Sequence, residues 1–122
     1  MRCQYNPKSP WLLMLVIVSS LVGSGVAAVP EQPTFNAHIR PLLSDRCFAC
    51  HGPDAKHREA DLRLDTFDGA TVAGAITPGK IDDSEVWKRI TSTDPDVMMA
   101  PPSAKKPKFT AEELETLKRW IT

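Results

Sequence analysis

The stretch "RCFACHGPD", Arg46 to Asp54, decides how the chain is read. Cys47 and Cys50 stand three positions apart, and His51 follows the second directly. Residues at i and i+3 of a helix share a face, one turn apart. Two thiols so placed suit one edge of a porphyrin, where cysteine sulfurs form thioethers with vinyl groups. A histidine just behind them can swing beneath the iron. C-x-x-C-H is therefore read as a haem attachment site, with His51 as the proximal ligand. Three other chemistries compete for the same residues. A structural zinc ion wants four protein ligands and would have to recruit His38 or His57 beside His51. A thioredoxin-like dithiol sits beside a βαβ pattern, and no such alternation is present. A plain disulfide suits an exported chain but leaves His51 without a role. Count and context favour haem c, one per chain.

The first residues supply that context. Arg2 and Lys8 form a positive start, Trp11 to Val18 is an unbroken apolar run, and Val26 and Ala28 are the small pair of a cleavage site in "GSGVAA". This pattern predicts a signal peptide over residues 1–28 and an exported location, periplasmic or on the outer face of the cytoplasmic membrane. The apolar run is short against the roughly 20 residues of a bilayer span. An uncleaved anchor is the alternative, and membrane association is expected only in that case. Cys3 precedes the apolar run, which argues against a lipoprotein. Cleavage leaves 94 residues with thirteen Lys and Arg against fifteen Asp and Glu, a net charge of −2. Such a balance has no basic excess for nucleic acid. Two cysteines remain, and a chain this short has a small apolar core of its own, which a buried cofactor would enlarge.

The rest reads as all-α. Residues 29–34 are a polar leader, and a domain over 35–122 follows. Phe35, Ile39, Leu42 and Leu43 have near-helical spacing, with Pro41 marking the first turn of the helix that delivers Cys47. "LRL" at 62–64 alternates as a short extended segment would. "DTFDGATVAG" suits one or two helical turns and "TPGK" a turn. "DDSEVWKRITS" predicts a short helix capped by Asp83 or Ser84, with Val86, Trp87 and Ile90 on one face. "TAEELETLKRWI" opens with a capping box, Thr110 with Glu113, and carries an apolar stripe of Leu114, Leu117, Trp120 and Ile121.

An iron held by His51 needs a sixth ligand or an open position, and methionine is a common distal partner. After loss of the signal, Met98 and Met99 are the candidates, in the Pro-rich loop "TDPDVMMAPPSAKKPK". His38 and His57 are rivals, read as surface or packing residues. Phe35, Phe67, Trp87, Phe109 and Trp120 are expected in the core and haem pocket. The Trp87 indole, Arg63 and Arg40 are candidate partners for a propionate. Lys105, Lys106 and Lys108 form a basic cluster beyond the methionines, suited to steering an acidic partner or simply solvated. No nucleophile stands beside a base and no Gly-rich phosphate loop occurs, so no enzymatic activity is expected.

The segments "FNAHIRPLLSDRCFACHGPDAKHREADLRLDT", "TPGK", "SEVWKRITSTDPDVMMAPP" and "FTAEELETLKRWI" together resemble the planctomycete-type cytochrome c domain, over about Phe35 to Ile121. The resemblance implies a small cytochrome c fold in which N- and C-terminal helices pack together beside a covalently bound haem. It places the haem-binding residues at Cys47, Cys50 and His51 and the distal ligand at Met99, ahead of Met98. Ala100 stands where the family usually has proline, which leaves both sulfurs in play. The function expected is that of a monohaem carrier of single electrons, working with a redox partner protein or with fused downstream domains. The alternatives are a haem sensor or peroxidase-like centre with an open distal position, and a non-haem disulfide or zinc module.

Overall fold

The structure, a computed structural model, describes residues 28–122. The signal-peptide reading, with Cys3 and Met14, therefore lies outside the described residues apart from Ala28. Among those residues there are helices and turns and no strand, as the all-α reading expects. No described helix is long and apolar enough to cross a membrane.

A π-helical turn, Phe35–Ile39, runs directly into α1, Arg40–Arg46. Pro41 was expected to open this helix, yet a full turn precedes it. The proline ring collides with the carbonyl four residues back in a regular helix. Widening that turn accommodates it: the N–H groups of Ile39 and Arg40 reach back five residues, to Thr34 and Phe35. Four more helices follow: α2, Phe48–His51; α3, Phe67–Val72; α4, Glu85–Thr91; and α5, Ala111–Ile121. Single 3₁₀ turns lie at Ile81–Asp83 and Pro102–Ala104.

α5 packs across the Phe35–Ile39 turn, with the Phe35 and Trp120 rings 5.8 Å apart. Ile39, Leu43 and Leu117 form one buried cluster; Leu64, Ala70, Ala75, Ile76 and Ile121 form the other. Cys47, Phe48 and Trp120 touch both, so the start of the C-x-x-C-H motif lies on the seam of the core. The capping box of α5 is present: Thr110 Oγ1 accepts from the Glu113 N–H at 3.2 Å and Glu113 Oε2 from the Thr110 N–H at 2.8 Å.

Three local expectations need correction. Residues 62–64 form no strand, because their backbone is spent on the loop behind His51: Leu64 N–H donates to the His51 carbonyl and Leu62 N–H to that of Glu59. Ser84 does stand at the N-cap of α4, but its side chain makes no capping bond. Its hydroxyl is fully buried and instead meets Thr77 and Lys80, tying the "TPGK" turn to the helix. Phe67 is 71 % exposed rather than core, because it starts α3 on the outer rim of a cavity.

Candidate functional site

α1 delivers the motif. Cys47 N–H donates to the Leu43 carbonyl at 2.7 Å, continuing the helical ladder to the first cysteine. The backbone then breaks at Cys47, with φ −120°, and restarts as the short α2. Within that turn Cys50 and His51 N–H groups both reach the Cys47 carbonyl, at 3.1 and 2.7 Å. The two thiols are free and unequal: Cys47 is half-buried against the core, Cys50 exposed. Burial pushes the Cys47 thiol up to about 11, against the opposing pull of the Arg46 and Lys106 charges. His51 is half-buried, and its Nδ1 is fully buried with no hydrogen-bond partner.

The chain beyond His51 folds back under the motif. Four consecutive carbonyls accept hydrogen bonds from residues 58–64: Cys50 from Glu59 N–H at 2.7 Å and His51 from Leu64 N–H at 2.8 Å, then Gly52 and Pro53 from the Arg58 guanidinium at 3.2 and 3.1 Å. Helix ends leave their last carbonyls without partners, and this segment supplies them. Gly52 is buried in the turn, where a Cβ would come within 2.3 Å of the Phe48 carbonyl oxygen. Sequence reasoning missed Arg58. Its signal is weak, a lone arginine in a charged loop with no periodic partner.

Arg46 fastens the motif to the other end of the chain. Its Nη2 donates to both Glu113 oxygens at 2.9 and 3.0 Å, its Nε to the Pro107 carbonyl at 3.3 Å, and its guanidinium lies 4.7 Å from the centre of the Phe109 ring. Lys106 donates to the Asp45 carbonyl nearby, which places the basic cluster beside the helix end that delivers Cys47.

The methionine loop is anchored elsewhere. Met99 N–H donates to the Arg89 carbonyl at the end of α4, at 3.0 Å, and Met98 N–H to that of Asp94 at 2.8 Å. Both residues are half-buried, and neither joins either core cluster, which sets them apart from ordinary filler. These bonds tie the two methionines to the end of α4 and to Asp94 just after it, and neither bonds nor core clusters bring Met98 or Met99 to Cys47, Cys50 or His51.

The rival histidines are engaged locally. His38 Nδ1 accepts from the Thr34 N–H at 3.0 Å, and exposed His57 pairs with Asp54 at 2.8 Å, which lowers the Asp54 carboxyl from its ordinary range. Arg63 is held by Asp65 through bonds of 3.0 and 2.6 Å, which likewise lowers that carboxyl. Among the described residues no three His, Cys, Asp or Glu side chains gather as a metal site. An apolar cavity of about 430 Å³ lies between Phe35, Leu64, Phe67, Ala70, Ile76 and Trp120; Cys47, Cys50, His51, Met98 and Met99 do not line it.

Residues 47–103 match the model of a family described as planctomycete cytochrome C. That segment of the chain is therefore similar to planctomycete cytochrome C. No curated protein and no solved structure matches the chain. The matched segment begins on Cys47 and contains both the C-x-x-C-H motif and the methionines; α1 and α5 flank it. Similarity to a cytochrome c family implies a covalently bound haem. The residues fit that group: two free thiols one turn apart, an imidazole whose Nδ1 no side chain or carbonyl of the fold engages, and thioethers outside the core. Cys47 and Cys50 would hold it by thioether bonds, and His51 would ligate its iron.

Proposed function

We propose that the chain is an exported, monohaem c-type cytochrome that carries single electrons and is not itself an enzyme. The observation that carries this reading is the motif Cys47, Cys50, His51 on a rigid turn inside the matched segment, with both thiols free. A haem bound there supplies a one-electron iron couple. The chain's own residues do the rest. Cys47 anchors the core side and Cys50 the open side, while the returning segment 58–64 holds the His51 backbone. Met99, mounted on α4, is the distal ligand. Lys105, Lys106 and Lys108 face solvent beside the attachment helix and steer an acidic redox partner, at the periplasmic side where the predicted signal peptide delivers the chain.

Because Met98 and Met99 are hydrogen-bonded to Asp94 and Arg89 and not to the motif, a second reading is a centre with an open or displaceable distal position. Binding of carbon monoxide to the reduced protein separates the two, since a six-coordinate His/Met centre resists it.

The test is expression with the signal and a cytochrome c maturation system, followed by a pyridine haemochrome spectrum. Colour that stays with the polypeptide after acid–acetone extraction is the expected result. A colourless chain from a strain that matures a control cytochrome sinks the proposal. Met99→Ala is expected to abolish the His/Met charge-transfer band, and Met98→Ala to leave it. The reverse outcome assigns the distal role to Met98.

A further inference from the structure

We infer that Arg58 is a positioning residue for the His51 side of the centre, and that its charge raises the reduction potential there; this rests on the haem-binding reading above. The inference begins with the four carbonyls of residues 50–53, all satisfied by one short return segment. Glu59 and Leu64 hold the first two through backbone amides. Arg58 alone holds the last two, straddling Gly52 and Pro53 with Nε and Nη2. A guanidinium has its donors in a planar fork, so it can bridge neighbouring carbonyls as an ammonium cannot. The turn it clamps is already tight, with no room for a side chain at Gly52. The ring of His51, one residue earlier, is held by nothing at Nδ1, so its orientation depends on this backbone.

The charge follows from the same geometry. The Arg58 side chain is only 16 % exposed, whereas its acidic partner Asp61, at 3.3 Å, is 94 % exposed. Water and salt screen the carboxylate more than the guanidinium. The Arg58 charge is therefore the less screened member of that pair at the turn behind His51. A fixed cation near a redox centre favours the state that has gained the electron, so it raises the potential.

Arg58→Gln and Arg58→Lys in the haem-loaded protein test this, with haem content, redox midpoint and amide exchange read together. Arg58→Gln is expected to lower the midpoint at unchanged haem content and to speed exchange at Glu59 and Leu64. Arg58→Lys keeps the charge and loses the fork, so its midpoint should fall between the other two while exchange stays fast. A wild-type midpoint in Arg58→Gln at full haem content overturns the inference. Should that variant fail to accumulate, Asp61→Asn decides: it leaves every carbonyl bond intact and removes only the counter-charge. At about 0.01 M salt, where the screening length is near 30 Å, it is expected to raise the midpoint. No shift there overturns the inference. A wild-type chain that takes up no haem defeats the haem-binding reading instead, a result distinct from any difference among the variants.

Discussion

Single residues around the motif differ in what they tolerate, and the reason is steric. Gly52 keeps φ at −119°, a conformation open to any residue, so no left-handed geometry demands glycine. Its constraint is the 2.3 Å between a Cβ and the Phe48 carbonyl, backbone against backbone within one turn. Gly52→Ala therefore has to pry α2 open. Overpacking of this kind costs about 1–3 kcal/mol. The loss should appear in denaturant unfolding of the haem protein, with faster exchange at the His51 amide; an unchanged midpoint of unfolding means the turn relaxes freely. Cys47 and Cys50 are unequal for a related reason. One sulfur is set against two core clusters and resists ionisation, while the other stands in solvent.

At the scale of elements, the joint between α1 and α5 is the one built from charge. Arg46 meets Glu113 through two bonds, and Glu113 simultaneously closes the capping box of α5. The arginine side chain is only 10 % exposed, so solvent screening is limited. Hydrogen bonds to charged groups contribute about 1.5–3 kcal/mol. A double-mutant cycle of Arg46→Ala and Glu113→Ala is expected to give a coupling of about 1–2 kcal/mol, beyond the roughly 0.5 kcal/mol within which independent sites add. Additive losses show instead that Arg46 acts through Phe109 and Pro107. The exposed Glu115–Arg119 pair on the same helix is a control, because such i, i+4 pairs contribute about 0.5 kcal/mol or less.

For the molecule as a whole, the matched family segment and the folding unit do not coincide. Residues 47–103 contain Cys47, Cys50, His51, Met98 and Met99, yet Ile39, Leu43, Leu117 and Ile121, half of the eight buried core hydrophobics, lie outside them. Cys47 and Phe48 pack against these outside residues. A chain trimmed to 47–103 is expected to show weak helical circular dichroism, no cooperative unfolding and poor haem retention beside residues 29–122. Cooperative unfolding of the short chain contradicts this and means that haem alone organises the segment.

The C-x-x-C-H motif was legible from sequence because five consecutive residues carry it, and local helical spacing sets their relation. The helices at both ends were legible too, since apolar periodicity and the Thr110–Glu113 capping box are local signals. Three things were not. Pro41 lies inside a continuous helical run, because a widened turn absorbs its ring. "LRL" alternates like a strand but has no partner strand, and its backbone serves His51 instead. Arg46 and Arg58 read as ordinary surface charge until the fold brings Glu113, 67 residues away, and the carbonyls of Gly52 and Pro53 to them. Spacing along the chain thus determined which atoms can attach a haem. Only the tertiary structure decided what holds those atoms still, because the holding contacts come from segments whose nearness no local periodicity encodes.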